Sequence, residues 1–519
     1  MVEQKGEAAK IVTEHSRFRL KTFLFIPYVA ISASCYAPKT RTVRCRSQPQ
    51  EDRVMTVDSI IRSAFNTEDF AQYEQNVYEK YQEMAEREII ARLDEFLSNA
   101  FFLMLLKHWG AQSACRFLGY RTITIRLKSG KQWQVLSPVF LRSKPKGKRG
   151  RAPKRQKGAL RHLGLELLGI IKQISPALLD ICVSMAVLCP SFEVAANALR
   201  GFGITMNDHL LQNITMRFAK LAKSVRVECH SEGVWQKPGI RILVCVDGGR
   251  IRERLKKRGK RKKGQKRQGY STEWFEPRLL IISQFDADGK KIKSVNPIID
   301  GSCGSLDDFF ELLKQYLLSI NLEEASEIVF CADGGNGIWP RTEKLIKELE
   351  LNNAKQILDY THAKQNISIV KKLISDALKL SDKQNRQLSK QVRELLWSGD
   401  IDGIADLVRE KLAGKRKAPK AALKKLNDYF GDHSRFQYQA FRDNGLPTGS
   451  GTIESAIRRV INLRIKGAGL FWKREHAENI IFLRSLVLTG KLKNACRKGL
   501  GLVRNMFDNN TIENLPLAA

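Results

Sequence analysis

Two apolar runs, each stopped by an aspartate and a glycine pair, constrain the fold of this chain more than any other feature. One reads Val244-Cys245-Val246-Asp247-Gly248-Gly249; the other reads Val329-Phe330-Cys331-Ala332-Asp333-Gly334-Gly335. Short continuous apolar runs bounded by turn signals read as buried strands. An acid at the end of such a strand is unusual, because burial disfavours its charged form unless something compensates it. A third acid, Glu454, opens a helical stretch in Gly449-Ser450-Gly451-Thr452-Ile453-Glu454-Ser455. This placement points to three carboxylates converging on a metal ion.

The charge balance says what such a metal would act on. The 519 residues carry 89 Lys+Arg against 54 Asp+Glu, a net charge of +35. The cations are clustered, which favours nucleic acid as partner, with an anionic membrane second. No apolar run reaches the roughly 18 residues of a membrane span. The ten cysteines form no CxxC pair, and Cys182, Cys245 and Cys331 lie within apolar runs. They read as small buried hydrophobes of a reducing, cytoplasmic compartment.

Residues 1–55 show no clear period and are expected to be poorly ordered. The 23–37 stretch faintly resembles an export signal, but a long polar leader and Pro27 argue against one. Residues 56–142 are expected to be helical to about Trp109 and then to form a β-hairpin turned at Gly130. A basic linker follows at 143–158; the span 142–157 holds nine cations and no acid. Residues 159–235 return to helix. There Ser191 suits an N-cap, Gly201-Phe202-Gly203 a turn, and Thr205 the cap of a second helix beginning at Met206. That is a helix-turn-helix outline, although an ordinary αα-corner fits nearly as well.

From 239 to 365 the pattern predicts strands at 241–246, 278–285 and 292–299, a helix at 305–320, a strand at 327–331, a helix at 341–349 and a strand at 356–358. Three antiparallel strands, a crossover helix and further parallel strands describe an α/β RNase H-like core with a mixed five-stranded sheet flanked by helices. Within it, residues 250–267 hold twelve cations and one acid. They read as a loop or hairpin projecting toward phosphates, too charged for a strand. Residues 366–440 form an all-helical insertion, 441–490 the second part of the core with the Glu454 helix, and 491–519 a C-terminal tail.

The chemistry follows from the acids. Phosphodiester cleavage or transfer needs an in-line nucleophile and stabilised charge on the entering and leaving oxygens. Two divalent ions roughly 4 Å apart supply both. Mg²⁺ takes hard oxygen ligands from a few carboxylates and completes its shell with water and phosphate. Glycines beside Asp247 and Asp333 let a DNA backbone come close.

These residues resemble the acidic-triad (DDE) transposases of bacterial insertion sequences, in particular Mutator-type and related lineages with a helical insertion before the glutamate. The resemblance spans roughly residues 150–490. It rests on Asp247-Gly248-Gly249-Arg250, Glu273-Trp274-Phe275-Glu276-Pro277-Arg278, Asp333-Gly334-Gly335-Asn336-Gly337-Ile338-Trp339, Leu358-Asp359-Tyr360-Thr361-His362 and Gly449 through Trp472. It implies that Asp247, Asp333 and Glu454 hold Mg²⁺ or Mn²⁺, two ions in all. It also implies that Asp359 and His362 form an Asp-x-x-His element. His362 would then bond a phosphate near the cut or orient a metal-bound water, or else serve as a structural helix-start histidine. Arg250, Lys256, Lys257, Arg258, Arg261 and Lys262 are expected to line DNA, with Arg464 and Lys466 as phosphate clamps. Trp339 and Trp472 would stack on a displaced base or pack in the core, with packing favoured for Trp339. The implied activity is binding of terminal inverted repeats, cleavage at the 3′ ends and strand transfer into target DNA. A dimer or larger assembly would act on double-stranded DNA in the prokaryotic cytoplasm, at the nucleoid. Two alternatives remain: a decayed or domesticated DNA-binding copy, and an RNase H-fold nuclease without strand transfer.

Overall fold

The computed structural model describes residues 57–67, 69–142, 160–230, 235, 237–257, 259, 264, 269–335 and 337–511. It divides into two compact units, 1–78 and 79–519. In the first, helix α1 (Val57–Phe65) and the start of α2 (Phe70–Ser98) meet through aromatic rings, Phe65 lying 5.3 Å from Phe70 and 5.1 Å from Tyr73. Residues 1–55 and the linker 143–158 lie outside the described residues.

The second unit opens with the rest of α2, then α3 (Ala100–Gln112) and the hairpin of β1 (Cys115–Arg126) and β2 (Gln132–Arg142). Gly130 has φ +84°, so the expected turn requires a residue without a Cβ. Buried Glu86 pins that turn: its carboxylate accepts from Ser129 N at 3.0 Å, Ser129 Oγ at 2.8 Å and Trp133 Nε1 at 2.9 Å.

A short β3 (Leu160–Arg161) leads into helices α4 (Leu163–Leu167), α5 (Pro176–Leu188), α6 (Phe192–Gly201) and α7 (Asp208–Lys223). Ser191 caps α6 as expected, accepting from Val194 N at 3.0 Å. The next helix starts later than expected. Ile204 and Met206 are buried, which holds the chain outside the helix through that stretch, and Asn207 rather than Thr205 is the cap. The buried side chains of α5, α6 and α7 belong to one continuous apolar core with the sheet.

The sheet follows. After β4 (Arg241–Gly248) come a separate hairpin, β5 (Ile251–Lys256) and β6 (Tyr270–Phe275), and then β7 (Arg278–Gln284) and β8 (Ile298–Ser302). Helix α8 (Leu306–Leu318), β9 (Glu327–Ala332), helix α9 (Ile338–Glu348) and β10 (Ala354–Leu358) complete it. The strand order is β10-β9-β4-β7-β8. β4 and β7, and β7 and β8, run antiparallel; β4 and β9, and β9 and β10, run parallel. This mixed α/β arrangement is compatible with the expected RNase H-like core.

Two expectations are corrected here. The third core strand is 298–302, not 292–299. Asp286 Oδ1 accepts from the backbone of Asp288 and Lys290, and Gly289 has φ +74°, so the charged run before Pro297 is a turn and connector. The cationic stretch after Arg250 does begin as a strand, because alternation sends Arg252, Arg254 and Lys256 to one exposed face while Ile251 and Glu253 are buried.

The insertion holds α10 (Tyr360–Leu378), α11 (Asp382–Ser398), α12 (Ile401–Lys411), α13 (Lys417–Tyr429) and α14 (Tyr438–Asp443). It starts directly at β10, because Asp359 caps α10. Helix α15 (Gly451–Ile457) carries Glu454 and packs on β4 and β7. It continues into a π turn at Arg458–Asn462. Helix α16 (Arg474–Leu488) follows. The expected tail is helical over α17 (Leu492–Thr511), which buries Leu492 and Ala495 and packs against α7 and α3. Among the described residues, no helix is long and apolar enough to cross a membrane.

Candidate active site

Strand register builds the site. In the parallel pair of β4 and β9, Cys245 lies opposite Cys331 and Val246 opposite Ala332. The next residue on each chain is an aspartate, so Asp247 and Asp333 leave the same edge of the sheet side by side. β10 extends the row: Leu358 lies opposite Ala332, and Asp359 N donates to Ala332 O at 2.9 Å. Three aspartates therefore end three adjacent parallel strands.

Asp247 and Asp333 line one cleft of ≈ 220 Å³, together with Gly248, Glu276, Arg278 and Ile338. Each carboxylate is oriented by its own loop. Asp247 Oδ1 accepts from Gly248 N at 2.6 Å, and Asp333 Oδ1 from Gly335 N at 3.1 Å. Burial pushes the Asp247 carboxyl up to about 6, and the neighbouring Asp333 and Glu276 add to the shift, while the Gly248 amide and His362 oppose it. Gly248 and Gly334 leave room for close neighbours: a Cβ on the first would collide with the Glu276 carboxylate, and on the second with the Tyr429 ring.

Asp359 has a different task. It is buried, and its Oδ1 accepts from His362 N at 2.8 Å and contacts His362 Nδ1 at 3.0 Å, while Oδ2 accepts from Ser450 N at 2.5 Å. Despite burial, these hydrogen bonds and the nearby histidine hold its carboxyl below the usual range. An ionised carboxylate only accepts, so this contact takes a proton on His362 Nδ1 and leaves Nε2 facing away from Asp359 on the ring. Through Ser450, Asp359 also ties the sheet edge to the residue that precedes the Glu454 helix.

Glu454 is exposed on α15 and does not line the cleft of Asp247 and Asp333. Glu276, the residue that follows β6, does. Among the described residues, no three His, Cys, Asp or Glu side chains stand close enough together to form a ready metal cluster. The two aspartates nonetheless fit a hard divalent cation. Neither forms an ion pair with a basic side chain among the described residues, and carboxylate oxygens are the hard ligands such an ion takes. Only the motif that includes Trp274 and Arg278 marked Glu276 in the sequence, and nothing there placed its side chain beside Asp247.

The expected DNA contacts divide. Arg250, Lys256, Lys257 and Lys466 are exposed. Arg258, Arg261 and Lys262 lie outside the described residues. Arg464 is no phosphate clamp in this structure: it is 2% exposed and donates from Nε to Ala186 O and from Nη1 to Pro190 O, both at 3.1 Å. Its guanidinium lies 4.9 Å over Phe192 and 5.1 Å over Trp472. Trp472 is likewise buried rather than offered to a base, and its Nε1 donates to Ile465 O at 3.0 Å. Trp339 packs in the core as favoured, with Arg435 4.6 Å from its ring. These corrections are linked: Arg464 closes the end of α5 against the segment after Glu454, a contact distant in sequence, and Trp472 packs against that arginine.

No family model matches the chain, and no curated protein matches it, so the lineage read from the motifs has no counterpart there. Among solved structures the chain is similar to a chain of the Drosophila P element transposase strand transfer complex, at 10% identity and a TM-score of 0.23, over 61% of this chain and 79% of that one. A likeness at that score bears no weight for fold or activity.

Proposed function

We propose that the chain is a DNA transposase of the acidic-triad kind, a polynucleotidyl transferase that cuts 3′ ends at its element's inverted repeats and joins them to target DNA. The observation that supports this most is the register of β4 and β9, which sets Asp247 and Asp333 together at one sheet edge. Beside that edge the chain presents an exposed cationic hairpin, as a phosphate-bearing substrate requires.

In this reading Asp247 and Asp333 hold one or two Mg²⁺ or Mn²⁺ ions, with Glu454 or Glu276 completing the set. Bound metal would supply Lewis-acid stabilisation of the attacking and leaving oxygens. The chain's own groups do the rest. His362, its Nδ1 held by Asp359, offers Nε2 toward a phosphate or water. Cations of the β5–β6 hairpin and Lys466 hold flanking phosphates. The partner is double-stranded DNA, engaged by a dimer or larger assembly in the prokaryotic cytoplasm.

A second reading, a DNA-binding copy without catalysis, draws on one observation: Glu454 stands outside the cleft. Strand transfer of a 3′-OH end into plasmid with Mg²⁺ or Mn²⁺ separates the two. Joining that is lost in Asp333→Asn supports the transposase; cutting without joining supports a nuclease; binding with no reaction supports the decayed copy.

A further inference from the structure

The β5–β6 hairpin has two unlike faces. One is docked. Ile251 and Phe275 are buried, Glu253 accepts from Arg474 Nε at 2.7 Å, and the backbone of β5 pairs with Trp472 through Arg254 N to Trp472 O at 2.8 Å and Trp472 N to Arg252 O at 3.0 Å. The hairpin is thus held to the segment that follows the Glu454 helix.

The other face is open, and it is not simply basic. Register sets Arg252 opposite Trp274 and Lys256 opposite Tyr270. Trp274 is 53% exposed, with the guanidinium carbons of Arg250 and Arg252 at 5.7 and 5.0 Å from its ring centroid. Arg254 lies 4.3 Å over Tyr270, and Phe471 joins them, 5.5 Å from Tyr270 and 5.8 Å from Arg252. A surface that only met duplex phosphates would need the cations and not the rings, because paired bases keep their faces stacked on one another. Aromatic rings interleaved with arginines on a fixed β-surface are the make-up of a platform for unpaired bases.

We propose that this face binds an unpaired DNA strand, with a base stacked on Trp274 and Arg250, Arg252 and Arg254 on the adjoining phosphates. This deepens the DNA reading above and rests on it. Its substrate class is DNA with a single-stranded or melted end, brought to the hairpin that leaves the sheet directly after Asp247.

The test uses the full chain with two probes: a blunt duplex, and the same duplex extended by a short 3′ single-stranded tail holding one 2-aminopurine. The tail should raise affinity about tenfold, the order that one stacked base contributes, and 2-aminopurine fluorescence should drop on binding. Trp274→Ala should abolish both the gain and the quenching while leaving blunt-duplex affinity unchanged; Trp274→Phe should retain most of each. Because Trp274 is half exposed, its loss leaves the core intact, and an unchanged thermal midpoint verifies this. Equal affinity for both probes, or an equal loss on both in Trp274→Ala, overturns the platform. If joining proceeds without any tail preference, the platform alone fails. If tail preference persists but no metal-dependent cutting occurs, the transposase reading alone fails.

Discussion

Along the edge of β4, β9 and β10, three aspartates take their places from strand register, whereas Glu454 and Lys466 depend on a segment held by buried arginines. On the edge, each carboxylate is one residue beyond the last paired position of the parallel strands, and backbone amides aim it. In the segment 451–472 the backbone pairs with β5 only at Trp472, and further fixing contacts are side chains on distant carbonyls. Arg464 reaches Ala186 and Pro190, while Arg484 donates to Arg459 O and to Val187 and Leu188 O. These two arginines satisfy carbonyls left over at the C-terminal end of α5, where positive charge is also favoured by the helix dipole. One half of the site is therefore set locally by the sheet, and the other is only as well placed as the packing of the helical region against it.

The largest effect expected from this contrast is chemical. Asp247→Asn and Asp333→Asn should each lower metal-dependent cutting by about a thousandfold, the equivalent of several kcal/mol of lost charge stabilisation. Asp247→Asn should not lower the urea midpoint, since it removes a charge that burial penalises. Glu454→Gln and Glu276→Gln sharpen the other half. Loss of cutting in the first and not the second assigns the third ligand to α15; the reverse moves it to the hairpin.

Next comes stability. Arg464→Ala would strip donors from the buried Ala186 carbonyl and the part-buried Pro190 carbonyl and leave a gap between Phe192 and Trp472. One unsatisfied buried group costs roughly 1–3 kcal/mol, so with the lost packing a loss of about 2–4 kcal/mol is expected in denaturant unfolding. Arg464→Ala protein that unfolds normally but binds DNA weakly would restore the phosphate-clamp reading.

That pair of outcomes shows where the sequence was readable. Asp247 and Asp333 could be placed because parallel strands of similar apolar pattern, each ending in the same acid, put those acids at one edge by register alone. The helical insertion was legible because nothing from 363 to 440 alternates. Arg464 was not legible: it sits between apolar neighbours two residues before exposed Lys466, and no local rule separates a cation that bonds carbonyls 278 residues away from one that faces solvent. Glu276 was hidden for the same reason, since its neighbour Asp247 belongs to another strand. The cap at Asn207 was missed because burial of Met206, a tertiary effect, delays the helix.

The helical region is tied to the sheet at a second place, and pH tests that tie. His230 is buried against Tyr316, and neither ring nitrogen has a hydrogen-bond partner among the described residues. Burial pushes it down to about 4; Lys491 and Arg226 push the same way, and Asp300, which Arg226 and Tyr316 both engage, opposes them. The unfolded chain takes up a proton near the ordinary value of 6.5, the folded chain only near 4. Between those values the unfolded state binds more protons, so stability falls as pH drops. The total is about 3 kcal/mol at 1.36 kcal/mol per pH unit. His230→Phe should flatten this slope. Asp300, held below the usual carboxylate range chiefly by Arg226, adds a separate loss only as pH falls below the ordinary aspartate value. An unchanged slope in His230→Phe would remove the histidine from this account.

The smallest expected effect is at Lys466, two residues from Arg464 and exposed where Arg464 is buried. Lys466→Ala should leave the unfolding free energy within about 0.5 kcal/mol, as surface substitutions do. Its effect belongs to binding: affinity should fall similarly for every DNA sequence, and the slope of log K against log salt should shrink by about one. The comparison is sharpest with the two variants side by side. If Lys466→Ala destabilises the fold while Arg464→Ala changes only the salt slope, then the buried and exposed roles are inverted. The segment after Glu454 would then be held by something other than its arginines.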